Sequence, residues 1–356
     1  MNEDGAWYSA TGEENDVILS SRVRLARNLA NFPFRGRMRI DDRDRVKAIM
    51  FDAFSKLNNP ESYHTIDLAN MDSIGIRIMI ERGVLGEERT NSEGLVIRED
   101  GRLACVINAE DHVRLSSFSA GLNFERCAAM TASLDTSLQQ FVQFAASYDF
   151  GYLSSSPADS GSGMKLSAWI HIPSIAFFKE EENVFSLLKK GGFASKPCYD
   201  MGFGEAIGSY YQVYNISSTE GNEIDQIASM IALCQRICAI ERKAREEMKK
   251  KCPTMLKDTV YRAYALSRFS RLLSLGEAIN IISGIKWGVD CGIVGNIDDA
   301  NLFSLLYKVQ VAHLEFVLKN SSFNFERDIE QDMKYKTTRL RSLILQEAFE
   351  NLEIKE

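Results

Sequence analysis

The chain has 356 residues, 45% hydrophobic, 10% aromatic and 26% charged, enough apolar mass for a substantial core, which excludes disorder over most of its length. Acidic residues outnumber basic ones, 49 to 42, so a general basic footprint for nucleic acid or anionic membrane is absent and any anion site is local. No apolar run reaches the ~18 residues of a membrane-spanning helix, residues 1–16 hold five acids and no apolar signal segment, and seven scattered cysteines include no C-x-x-C pair. The expectation is a cytoplasmic protein with neither a disulfide framework nor a structural zinc site, and the length suggests two domains.

Residues 17–23 read as extended, 41–57 as a helix, 103–108 as a short strand and 122–145 as a helix. Residues 166–172 and 210–216 are further strands rich in β-branched or aromatic side chains, and a long helix runs from Glu223 to about Lys250. In that helix Ile224, Ile227, Ile231 and Cys234 recur at helical spacing before the almost wholly charged stretch 241–251. Cys234 and Cys238 fit two buried thiols rather than a metal site. Pro253 breaks the pattern, and from Leu256 onward the periodicity is helical, punctuated by Gly276, Gly284, Gly292 and Gly295. A boundary near Pro253 divides a mixed domain, 1–252, from a helical one, 253–356.

Three stretches bear on chemistry. SSRVRLAR (20–27) places Arg22 and Arg24 on one face of an extended segment, where two planar forks can grip a polyanion such as a triphosphate. The same spacing also fits a solvated strand edge with surface ion pairs. NAEDHVR (108–114) follows a predicted strand, so Glu110 can orient a guanidinium and accept its proton while Arg114 faces phosphate. As an acidic, helix-starting turn it needs no function. SSSPADSGSG (154–163), with Lys165 beyond it, reads as a functional loop rather than an interdomain linker. It is no P-loop, because G-x-x-x-x-G-K-S/T cannot be written through Gly161, Gly163 and Lys165.

Together, SSRVRLARN with the following FPF, NAEDHVR and SPADSGSGMKLSAWIHIP resemble the ATP:guanidino phosphotransferases. That family's signatures read S-S/T-R-V/I-R-x-x-R, N-E-E-D-H-x-R and C-P-T-N-x-G-T-x-x-R-A-S-V. The bacterial protein-arginine kinase branch is the most similar, matched also by ERKARE (241–246) and the helical C-terminal region. The resemblance implies an α+β fold, an antiparallel sheet flanked by helices, followed by an all-helical C-terminal domain that dimerises. It implies in-line transfer of the ATP γ-phosphoryl, with Mg2+, to exposed arginines of protein substrates. It makes Ser20, Ser21, Arg22, Val23, Arg24, Arg77, Arg114 and Lys165 nucleotide-side residues and Glu110 the carboxylate that aligns the guanidinium. Arg327 and Asp328 become the remnant of a phosphoarginine pocket, R-D-x-x-R-A. A homodimer, an activator protein and a protein-quality-control protease system are partners by the same resemblance.

The departures bear on activity. Lys165 replaces the arginine of R-A-S-V, keeping charge but losing the bidentate fork. Ser156 replaces a cysteine, Ala109 a glutamate and Gly83 a histidine that meets the nucleotide, while Gln331 and Asp332 interrupt R-D-x-x-R-A. Anchoring the family loop R-G-x-Y-G-E-G-S-E-A-I/V-G on EAIG (205–208) puts Pro197 at its arginine and Gly202 at its catalytic glutamate; a shifted loop brings Glu205 or Asp200 in instead. Two readings follow: a kinase of altered or reduced activity, with Glu205 as second carboxylate, or a pseudokinase scaffold. A kinase for free arginine fits less well, since the helical C-terminal domain and the Arg327–Asp328 remnant point to protein substrates.

Overall fold

The computed structural model describes residues 6–87, 93–200, 206–219 and 221–355. Alternation of aliphatic and polar side chains gives the long strand β1 (Ile18–Arg27) one face for the core and one for a cleft. Strands β2 (Tyr63–Asp67), β3 (Gly94–Arg98), β4 (Leu103–Ile107) and β5 (Val113–Ala120) follow. After a small ladder of β6 (Ala146–Ser147) and β7 (Gly151–Tyr152) come β8 (Met164–His171), β9 (Phe193–Pro197) and β10 (Tyr210–Asn215). Eight of these form one sheet in the order β2-β3-β4-β5-β1-β8-β10-β9, with every neighbouring pair antiparallel. β1 and β8 are therefore central, paired on both edges, and carry their side chains on the most firmly held backbone.

Helices α1 (Ile40–Ser55), α2 (Ser73–Glu81), α3 (Phe124–Leu138), α4 (Pro173–Phe177), α5 (Glu181–Lys190) and α6 (Glu223–Lys251) belong to this part of the chain. Helices α7 (Pro253–Phe269), α8 (Leu275–Asp290), α9 (Asp299–Lys308), α10 (Val311–Asn320) and α11 (Met333–Ala348) complete it. One face of the sheet, through Val23, Leu25, Ile170 and Val213, packs against α1, α3 and α6. The other face, through Leu95, Val106, Phe118 and Tyr210, packs against Trp7 and the Ile279, Ile282 and Phe303 side chains of α8 and α9. The C-terminal helices thus pack on part of that second face, and the architecture is the α+β class that the motifs imply.

Two local expectations are corrected. The helix expected over 122–145 ends at Leu138, because the chain beyond it runs alongside the end of β1: Ala30 N donates to Gln143 O (3.0 Å) and Ala145 N to Asn28 O (2.7 Å). The break expected at Pro253 is present: α6 ends at Lys251 and Pro253 opens α7, occupying the first turn, where a missing N–H costs nothing. The C-terminal region is not wholly helical, since β11 (Val294–Gly295) pairs with β12 (Glu353–Ile354).

Polar contacts tie α8 to β8 and α4, and α6 to α4. Trp287 Nε1 donates to Ser174 Oγ (2.9 Å), His171 Nε2 lies 2.8 Å from Ser283 Oγ, and the Glu241 carboxylate accepts from Ser174 N and Ile175 N, both at 3.0 Å. Burial outweighs these donors and pushes the Glu241 carboxyl up to about 7. Among the described residues no helix is long and apolar enough to cross a membrane.

Candidate active site

Strand register decides which motif residues meet. In β1, Arg22 stands opposite Phe118 of β5 and Ser167 of β8, Arg24 opposite Ser116 and Lys165, and Ala26 opposite Arg114. Directly opposed residues share a face, so Arg22, Arg24, Arg114 and Lys165 all rise from the same side of the sheet. Gln212 of β10, paired with Trp169 and Lys196, extends that surface. Arg22, Arg24, Arg114, Trp169, Lys196 and Gln212 help to line a cleft of about 570 Å³, closed on one side by the turn after α2 and on another by Gln310 ahead of α10.

The three arginines are crowded. Burial, then the neighbouring Arg114, brings the Arg22 guanidinium down to about 10. Burial and the charges of Arg22 and Arg114 hold Arg24 well below its ordinary value, with Asp159 and Glu110 offsetting only part. Arg114 is lowered by burial against the opposing pull of Glu93 and Glu110. Arg22 donates to Ser167 Oγ and to Gly83 O, both at 3.1 Å, and Arg114 donates to Val84 O at 3.0 Å. Gly83 adopts φ +69, a left-handed conformation that suits glycine and turns its carbonyl to Arg22. Arg24 makes no hydrogen bond or ion pair among the described residues, so its charge is available to a ligand. Converging, under-compensated guanidiniums in a concave site are the electrostatic form of a polyanion receptor.

The pleat also separates residues that the linear motif groups together. Ser20 lines a small adjoining cavity with Arg22. Ser21 and Val23 point to the opposite face, where Ser21 Oγ donates to Gly121 O (2.8 Å) and Val23 is fully buried in the core. Arg27 is likewise internal, paired with Asp135 at 3.0 Å and stacked over Tyr152. In NAEDHVR, Asp111 accepts from Asn28 Nδ2 and Ser155 N, both at 2.7 Å, and His112 Nδ1 accepts from Leu29 N at 3.1 Å. These two residues fasten β1 and the 154–163 loop around the turn, leaving Glu110 exposed at its tip.

Other expected residues are diverted. The Lys165 ammonium sits on Asp159 (2.6 Å) and Ile216 O (3.1 Å) and is not among the cleft-lining residues. Arg77, on α2, pairs with Glu315 of α10 outside the cleft. Arg327 and Asp328 are exposed on the turn before α11, while the adjacent Glu326 engages Arg271 and Arg339. Glu205 and Gly202 fall outside the described residues. Trp169, Lys196 and Gln212 are cleft residues that motif reading missed; alternation within the predicted strands 166–172 and 210–216 was the signal for two of them.

Two other depressions, of about 630 and 660 Å³, lack such convergence: in the first, Lys56 and Arg98 are already paired with Asp52 and Asp100. Among the described residues no three His, Cys, Asp or Glu side chains gather as a metal-ligand set.

The sheet and its helices match known guanidino kinases in fold. Lombricine kinase superimposes with a TM-score of 0.57 at 16% identity over 66% of this chain and 68% of that one. The duplicated taurocyamine kinase of Schistosoma mansoni, with bound transition-state analogue components, gives a TM-score of 0.59 at 16% identity over 79% of this chain and 47% of that chain. Residues 45–244 match the ATP:guanido phosphotransferase C-terminal catalytic domain, and residues 253–354 match the protein-arginine kinase McsB C-terminal domain. The protein-arginine kinase of Desulforamulus reducens is 30% identical over 335 residues, covering 92% of this chain and 93% of the relative. That of Syntrophomonas wolfei is 30% identical over 317 residues, covering 87% and 88%. The chain belongs to the ATP:guanido phosphotransferase family.

Proposed function

We propose that this cleft binds ATP through Arg22, Arg24 and Arg114 and transfers its γ-phosphoryl to the guanidinium of an arginine on a protein, with Glu110 aligning that guanidinium. The observation that carries the reading is the convergence of three arginines in one cleft, Arg24 among them with no partner among the described residues. Planar forks suit phosphate oxygens, and positive charge set in a partly dry site stabilises the transferring phosphoryl group without reorganisation. Glu110, exposed at a turn whose Asp111 and His112 are buried and bonded, stands on rigid backbone beside these cations. Magnesium would enter on the nucleotide phosphates, the usual route for an ion that binds through substrate phosphates and few protein ligands.

The same geometry supports a reduced rate. Lys165, at the position of a family arginine, is engaged by Asp159 and offers the cleft neither a fork nor a free charge. That contact also favours the second reading, a nucleotide-binding scaffold that transfers nothing.

Calorimetry with ATP and magnesium, followed by incubation with γ-labelled ATP and an arginine-rich protein, tests both readings. Binding with acid-labile label on the protein supports the kinase, binding without label supports the scaffold, and no binding to folded chain overturns both. In the kinase, Glu110→Gln is expected to cut turnover by ~10²-fold or more while ATP affinity stays within about twofold.

A further inference from the structure

The turn that follows α2 braces two of the three cleft arginines: Gly83 O accepts from Arg22 and Val84 O from Arg114. The residue that ends α2, Glu81, stands at the edge of the same cleft and reaches across to α10. Its carboxylate accepts from Ala312 N (2.8 Å) and His313 N (3.4 Å), two of the free amides in the first turn of α10. Gln310, at the N-cap of α10, makes no side-chain capping bond of its own; its amide donates instead to Leu306 O (2.7 Å). Glu81 therefore supplies from another element the anion that a helix N-terminus favours. On the far side of that corner Arg341 of α11, almost fully buried, donates to Val309 O at 2.8 Å and to Leu273 O at 2.7 Å. Two outer ion pairs, Arg77 with Glu315 and Lys319 with Asp72, align α2 along α10.

We infer that Glu81 is a positioning residue: it couples the α9–α10 corner of the C-terminal helices to the carbonyls that aim Arg22 and Arg114 into the phosphate cleft. This inference rests on the proposed reading of the cleft. Phosphate recognition by paired forks depends on their orientation, and two backbone carbonyls on one short turn hold both. A two-ended brace works only if its base is fixed, and Glu81 is the half-buried contact of the turn's own helix with α10. Burial raises the Glu81 carboxyl while the two α10 amides pull it back down, as expected of a carboxylate held at a helix terminus. Arg77 has its place in the same clasp, which accounts for its absence from the cleft.

The test compares ATP and AMP binding by calorimetry in the full chain, the Glu81→Ala and Glu81→Gln variants, and Asp72→Asn as a control that breaks only the outermost pair. Misaimed arginines cost most where most phosphate is bound. Glu81→Ala is expected to weaken ATP about fivefold to thirtyfold and AMP by less than about threefold. Glu81→Gln, which keeps an acceptor for one α10 amide, should weaken ATP by more than about twofold but less than Glu81→Ala does, and Asp72→Asn should match the parent. Equal losses for ATP and AMP would mark a merely structural contact and overturn the inference. So would ATP affinity within about twofold of the parent in Glu81→Gln, the variant retained if Glu81→Ala does not fold. A folded parent that binds no ATP overturns the cleft reading itself and this inference with it; a parent that binds while both variants are unaffected overturns only the role of Glu81.

Discussion

Arg24 separates function from stability at a single position. Its guanidinium is crowded by Arg22 and Arg114 and relieved only in part by Asp159 and Glu110, so the folded apoprotein carries it at a cost that a bound polyphosphate offsets. Arg24→Ala is expected to raise the melting temperature of the apoprotein while weakening ATP by about tenfold or more. Paired thermal melts and calorimetry check this; a variant that loses stability and affinity together would show Arg24 to be a structural contact. Asp159 makes the complementary case. It draws Lys165 out of the cleft and also faces Arg24. Asp159→Asn should release the ammonium, remove a carboxylate near the phosphates and tighten ATP about threefold to tenfold. An unchanged or weaker affinity would mean that Lys165 does not reach the nucleotide. Sharing of a face by Arg22 and Arg24 was legible from their spacing alone, because strand alternation is local. The diversion of Lys165 was not, since a long flexible side chain chooses among partners that only the fold brings near.

At the scale of elements, the buried end of α4 against α6 predicts a pH dependence. The Glu241 carboxyl, ordinarily near 4.5, is raised to about 7 in the folded chain. The folded state therefore holds an extra proton between those values, and the stability this contributes is lost as pH rises through the window. Between about pH 5 and about pH 7.5 the parent should lose about 2 kcal/mol more than Glu241→Gln, read from urea unfolding midpoints. Equal slopes would show that Glu241 is ionised throughout. Helix α6 itself was readable from its periodicity, and its start at Glu223 agrees with the structure. The end of α3 was not, because residues 139–145 leave the helix to bond with residues 28–30, a pairing across more than a hundred positions that no local pattern announces.

For the whole molecule, the decisive fact is that the sheet has two apolar faces. Residues 1–252 read as a domain on their own, yet Leu95, Ile97, Val106, Phe118 and Tyr210 pack in one cluster with residues of α8 and α9. A fragment ending at Lys251 would expose that face as a contiguous apolar patch. It is expected to aggregate or to elute as large species in size-exclusion chromatography and to lack a cooperative melt. A soluble, cooperatively unfolding fragment would show that the second face needs no cover.

The sequence by itself determined the family, the strands β1, β4, β8 and β10, the long helix α6, and the shared face of Arg22 and Arg24, because motif identity and side-chain periodicity are written residue by residue. Only the tertiary structure decided that Arg114 joins those two, since that follows from the register of β1 against β5. It alone turned Ser21 and Val23 toward the core, set Lys165 on Asp159 and Arg77 on Glu315, and laid the C-terminal helices over the sheet beside the cleft. Each of these depends on pairing between segments distant in the chain, where the competition among partners is settled by packing and charge in three dimensions rather than by neighbours in sequence.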